Sequence, residues 1–161
     1  MLGLSKQHLG QVYTVTIPGD PIPWQRAGKS GARLYDKQKN EKILWGLNFM
    51  KGFSQEALTG PLSVDITFHM RVFQSLDKKY GQSIEGKTHY QVPDLSNLVK
   101  FLEDALNTVA WKDDALIAEC HARKVWSYEP RTVITIVSLE DWRTLLSRTV
   151  RNLVWPSGTV Q

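Results

Sequence analysis

The sequence predicts an α+β domain in two layers, a mixed β-sheet with helices mainly on one face. Three observations carry this. Residues 62–73 alternate apolar Val64, Ile66, Phe68, Met70 and Val72 with polar Asp65, Thr67, His69 and Arg71, the period of a strand with one buried face. Residues 95–107 carry Leu95, Leu98, Val99, Leu102, Ala105 and Leu106 at helical spacing. The elements then read β, α, β, α, β, β, α, without a repeat, linker or low-complexity segment.

In order, residues 11–17 (QVYTVTI) are rich in β-formers and stop at the turn signal of residues 18–21 (PGDP). A basic loop with one aromatic follows at residues 23–29. Residues 36–52 predict a helix with Ile43, Leu44, Leu47 and Met50 as its apolar stripe. After the strand at 62–73, residues 74–92 are polar with two glycines and read as a long loop. Residues 95–107 make the second helix. Residues 116–126 predict a strand with Leu116, Ala118, Cys120 and Ala122 on one side and Glu119, His121 and Arg123 on the other. Residues 131–139 (RTVITIVSL) predict another strand. Residues 141–155 predict a final amphipathic helix with Trp142, Leu145, Leu146 and Leu153 as its stripe and Arg143, Arg148 and Arg151 largely elsewhere.

The chain of 161 residues is 42% hydrophobic and 22% charged, which suits one globular domain spanning residues 1–161. It has no run of ~18 apolar residues to span a membrane and no signal-peptide layout at its start, so a cytoplasmic protein is expected. The single cysteine, Cys120, excludes an internal disulfide and a cysteine-rich zinc site. A net charge of +4 permits a polyanionic partner without requiring one. Six tryptophans suit cores, interfaces and base stacking alike.

Residues 93–100 (PDLSNLVK) place an acid, a hydroxyl, an amide and a lysine at a helix start. Ser96, Lys100 and Asp104 are spaced i, i+4, i+8, along one line of the helix surface opposite its apolar stripe. Lys112, Asp113 and Asp114 directly precede the next strand. If that strand runs beside the helix, Asp113 and Asp114 approach Asp94. Hard carboxylate oxygens beside a lysine suit metal-assisted phosphodiester hydrolysis: Mg²⁺ takes one or two carboxylates plus water and phosphate, and the lysine stabilises developing charge. The competing reading is structural: Asp94 or Ser96 as a helix N-cap, Asp113–Asp114 as a solvated turn, Lys100–Asp104 as a surface pair.

Residues 93–124 (PDLSNLVKFLEDALNTVAWKDDALIAECHARK), with "IPGDPIPWQRAG" and "LYD" upstream, resemble the RusA family of Holliday junction resolvases over about residues 12–137, leaving 138–161 as a C-terminal helical extension. The resemblance implies a homodimeric, Mg²⁺-dependent endonuclease of bacterial or phage origin, with Mn²⁺ as a substitute. It would cut four-way DNA junctions symmetrically in recombination and repair, one strand per subunit. Asp94 and Asp114 match the family's first and third catalytic aspartates, Lys100 its motif lysine, and Asp104 and Asp113 further acids. Asp94, Asp113 and Asp114 are thus the expected metal ligands, and Asp94, Ser96, Lys100 and Asp114 the expected catalytic set.

Ser96 departs from the family pattern, which has an aspartate there. Asp104 does not replace it, lying about 12 Å along the helix at ~1.5 Å per residue. The serine is tolerated through water-mediated metal binding, or it inactivates the enzyme, or the protein binds junctions without cutting them. Expected DNA contacts are Trp24, Arg26, Lys29, Arg33, Lys87, Asn97 and Lys100, set against a surface loop whose tryptophan plugs the core edge. His69, His89 and His121 fit no zinc spacing, and Cys120 is expected in the core.

Overall fold

The computed structural model of the protein describes residues 10–139. The expected C-terminal helix at 141–155, and nearly all of the extension at 138–161, lie outside the described residues. The sheet has four strands: β1 (Val12–Pro18), β4 (Leu62–Arg71), β5 (Ile117–Ser127) and β6 (Arg131–Ser138), in the order β1-β6-β4-β5. β6 pairs antiparallel with β1 and β4, while β4 and β5 run parallel. Two short strands, β2 (Gly28–Ser30) and β3 (Arg33–Tyr35), form a separate hairpin that the sequence reading missed. Three residues a strand are too few for an alternating pattern to show.

Parallel neighbours require a crossover. The one between β4 and β5 holds α2 (Gln74–Tyr80), a 3₁₀ turn (Gly81–Ile84) and α3 (Leu95–Leu106), so the expected loop at 74–92 is partly helical. No residue of α2 is buried, and without an apolar stripe its sequence gave no periodic signal.

The core lies between one sheet face and two helices, α1 (Lys39–Met50) and α3. Leu62, Val64, Ile66 and Phe68 of β4, Ile134 and Ile136 of β6, and Leu98, Phe101, Leu102 and Leu106 of α3 are all buried. Each such side chain contributes about 1.5–3 kcal/mol by leaving water. The mixed two-layer architecture is as expected.

The stripe expected on α1 is wrong. Ile43, Leu44, Leu47 and Met50 are each about half exposed, and Trp45, Gly46 and Phe49 face the core instead. Two apolar stripes of similar strength run along this helix, and the aromatic one is buried. Trp45 meets Phe101 of α3 edge-on at 5.2 Å, and Phe49 stacks towards Phe53 at 5.0 Å. Such pairs add about 0.5–1.5 kcal/mol beyond area burial. At Gly46 the helices lie close, a Cβ there standing 3.6 Å from the Ala105 carbonyl of α3, an ordinary contact distance. No helix among the described residues is long and apolar enough to cross a membrane.

Candidate active site

α3 buries Leu98, Phe101, Leu102, Ala105 and Leu106, which forces Ser96, Lys100, Glu103 and Asp104 outward. These four, with Asp114, Cys120 and Ala122, line one open cleft of about 580 Å³ between α3 and β5. Asp94 is the N-cap residue of α3, two residues ahead of the cleft-lining Ser96, and does not itself line the cleft. Its backbone is extended (φ −63°, ψ 139°), yet its side chain makes no capping hydrogen bond. The position is that of a cap, while the carboxylate is left for other work.

The approach to Asp94 is fixed by the edge of β5. His89 N–H donates to Lys124 O and Trp126 N–H to Lys87 O, so residues 87–89 pair along that edge. Lys124 Nζ then donates to the carbonyls of Gln91, at 2.5 Å, and Pro93, at 2.6 Å. Burial lowers the Lys124 pKa, and the nearby Asp94 carboxylate opposes that shift.

Asp114 is delivered by a different anchor. After α3 the chain turns through Thr108 in the left-handed region (φ 66°). Thr108 N–H donates to Trp111 O, and the Trp111 side chain is fully buried. Leu58 N–H donates to Ala110 O and Lys112 N–H to Leu58 O, pinning the turn on both sides of Trp111. Asp113 caps the 3₁₀ turn Asp114–Leu116, with its Oδ1 accepting from Ala115 N–H at 2.8 Å. That capping bond gives Asp113 a structural duty.

Asp104 is engaged as well. Lys42 Nζ bridges Asp104 Oδ2, at 3.0 Å, and Asp36 Oδ2, at 2.9 Å. The Asp36 carboxyl is held below its ordinary range, first by the hydrogen bond from Lys42.

Glu103 escaped the sequence reading although it lies i+7 from Ser96 and i+3 from Lys100, within the same outward face. Burial pushes its carboxyl above the usual range, and the Asp114 and Asp104 carboxylates push it further. The folded protein therefore holds this proton more tightly than the unfolded chain does. Stability tied to Glu103 is greatest below the unfolded carboxyl value and falls as pH rises through the folded one. Glu103→Gln is thus expected to match the wild type in acid and to exceed it in melting temperature at neutral pH. A variant less stable than wild type at neutral pH would contradict this.

The expected DNA-contact residues separate into groups. Lys100 and Asn97 are on α3, and Trp24 is packed against that helix. Lys29 and Arg33 are exposed on the β2–β3 hairpin, Arg26 is exposed just before it, and Lys87 is exposed beside the β5 edge. Tyr90 and Val92, 86% and 82% exposed, flank the approach to Asp94 and were not singled out from sequence. Cys120 is a correction: the thiol lines the cleft rather than the core, because it lies on the edge strand β5 opposite the polar face of α3 that carries Glu103. His89 is buried and stacks on Trp126 at 4.1 Å between ring centres, an ordinary packing role.

Among the described residues no three histidine, cysteine or acidic groups converge as a ready-made metal cage. Mg²⁺ does not need one, because it keeps several waters and takes one or two carboxylates. Asp94, whose side chain makes no capping hydrogen bond, and Asp114 are hard-oxygen donors of the kind such an ion takes.

The family model for Endodeoxyribonuclease RusA matches residues 18–137, well over half of the chain. The chain is also 28% identical over 135 residues to the protein of Bacillus subtilis (strain 168) named "Uncharacterized protein YqaN", covering 75% of this chain and 92% of that one.

Proposed function

The chain belongs to the RusA endodeoxyribonuclease family, and from that premise we propose that it is a Mg²⁺-dependent nuclease that resolves four-way DNA junctions as a homodimer. The observation that carries the proposal is the cleft itself, where Ser96, Lys100 and Glu103 of α3 face Asp114 at the start of β5. Asp94 and Asp114 are the residues that would hold the ion, within the one or two carboxylates that Mg²⁺ takes. When bound, Mg²⁺ supplies an activated water and neutralises phosphate charge.

The chain's own residues do the rest. Lys100 meets a non-bridging phosphate oxygen and stabilises the charge that grows there. Glu103, about 10 Å along the helix from Ser96 at ~1.5 Å per residue, is too far to replace the missing carboxylate and lines the cleft beside Asp114 instead. Ser96 Oγ, exposed at the first turn, orients water by hydrogen bonding. Arg26, Lys29, Arg33 and Lys87 hold the DNA backbone, contacts that fix position without reading sequence. A two-fold dimer suits the two equivalent strands of a junction.

A test compares a four-way junction with a linear duplex of the same sequence, in Mg²⁺ and in EDTA. Mg²⁺-dependent cuts confined to the junction are expected. Equal cutting of both substrates would remove the structure selectivity. Mg²⁺ is also expected to raise the melting temperature of wild type more than that of Asp114→Asn, since a ligand of the folded state stabilises it by mass action.

One observation favours a second reading. Ser96 stands where the family pattern has an aspartate, and a neutral hydroxyl is a weaker metal ligand than a carboxylate. On that reading the protein binds junctions without cutting them, and Ser96→Asp restores cleavage.

A further inference from the structure

We propose that Trp24 and Gln38 are positioning residues that fix the Lys100 ammonium at the cleft, and that Trp24 does not stack on DNA bases. Lys100 Nζ stands 3.8 Å from the centroid of the Trp24 ring, well inside the ~6 Å reach of a cation–π contact. The ring is half-buried and packs against the core edge beside Ile22. One face is therefore already used by the lysine that the chemistry needs.

The ring can hold Lys100 only if its own backbone is held, and that backbone is clamped from two sides. Trp24 N–H donates to Asn97 O, 2.8 Å away in the first turn of α3. On the other side, Gln38 reaches both neighbours of Trp24. Its Nε2 donates to Pro23 O at 2.9 Å, and its Oε1 accepts from Gln25 N–H at 2.7 Å. The Gln38 residue is 3% exposed, so these bonds are sheltered from competing water. Gln38 N–H in turn donates to Asp36 Oδ1, and Asp36 reaches Asp104 on α3 through Lys42.

The chain of contacts thus leaves α3 at Asn97 and Lys100 and returns to it at Asp104. A free lysine side chain has four flexible methylenes and samples many positions. Here the strap over residues 23–25 confines it. The inference rests on the reading that Lys100 meets the scissile phosphate, because only then does its confinement matter to the rate.

The experiment uses the full chain, with Trp24→Leu, Trp24→Phe, Gln38→Leu and Lys100→Met beside the wild type. Lysines are reductively methylated with ¹³C, which keeps their charge, and Lys100→Met assigns the resonance. The Lys100 methyl signal is expected upfield in the wild type through the ring current of Trp24. It should return to the common lysine position in Trp24→Leu, stay shifted in Trp24→Phe, and move part of the way in Gln38→Leu.

Cleavage of a four-way junction is then measured at saturating DNA. Trp24→Leu should cut about 10- to 100-fold more slowly, the effect of misplacing a reacting group by roughly 1 Å, with junction affinity unchanged. Trp24→Phe should recover most of the rate. An unshifted Lys100 signal in the wild type overturns the proposal, as does wild-type cleavage by Trp24→Leu. Lost affinity with an intact rate does so too, and would make Trp24 a base-stacking residue. The NMR measurement does not need cleavage. A shifted Lys100 in a wild type that cuts nothing would remove the nuclease reading and leave the strap standing.

Discussion

Asp114→Asn and Asp94→Asn are each expected to lower Mg²⁺-dependent junction cleavage by on the order of 10²–10³-fold or more, the usual loss when one group that stabilises the transition state is removed. Junction binding should persist, because neither carboxylate attracts DNA. The neighbouring acid supplies a control. Asp113 is occupied as a cap on Ala115 N–H, and asparagine caps as well as aspartate does. Asp113→Asn should therefore leave cleavage near wild type. Rates measured in single turnover for the three variants check this, and equal loss in all three would erase the distinction between Asp113 and Asp114. Cleavage that survives both Asp94→Asn and Asp114→Asn would remove the mechanism.

Trp111→Ala carries the largest expected loss of stability, about 3–5 kcal/mol. The side chain is fully buried, and the hydrogen bonds donated by Leu58 and Thr108 hold the turn around it. Against a typical domain stability of about 5–15 kcal/mol, that is a large share. The midpoint of urea unfolding should fall with little change in slope. Asp114 sits three residues beyond this anchor, so cleavage should fall as well, even at temperatures where the variant remains folded. Leu44→Ala gives the contrast. Leu44 is 59% exposed, and substitutions at such positions usually stay within about 0.5 kcal/mol. A cost of several kcal/mol at Leu44 would mean that the exposed α1 stripe is covered in solution.

The sheet and α3 were legible because each buries one face against a single layer, so the period survives in the sequence. β4 shows alternation along nearly its whole length, and α3 shows a clean stripe. On α1 the same rule chose the wrong face, since Ile43, Leu44, Leu47 and Met50 match the helical period as well as Trp45 and Phe49 do. Local period alone does not say which stripe meets α3. The packing of Trp45 on Phe101 and of Phe49 beside Phe53 does, and that is a tertiary fact.

The candidate site was legible in part for the same reason. Asp94 and Ser96 lie at the start of α3, Lys100 midway along its outward face and Asp114 just ahead of β5, positions that the pattern locates. Glu103 was passed over because an i, i+4, i+8 line was followed where the cleft is a broader face. The duties of Asp104 and Asp113 were invisible, as they depend on Lys42 from another helix and on the cap geometry of one short turn. Trp24 read as a free aromatic in a basic loop, because nothing in its local sequence reveals that Gln38 and Asn97 tie it to α3. The comparison with the RusA family supports the nuclease reading and is silent on these individual roles.

The most direct measurement is cleavage of an end-labelled four-way junction by the wild type and by Ser96→Asp, each in Mg²⁺, in Mn²⁺ and in EDTA. Paired, symmetric cuts by the wild type in Mg²⁺, absent in EDTA, are the predicted result. They would mean that Asp94 and Asp114 suffice with a serine at position 96. Junction binding without a single nick by the wild type in either metal, together with cutting by Ser96→Asp, would contradict the account and leave a resolvase fold whose chemistry this serine has switched off.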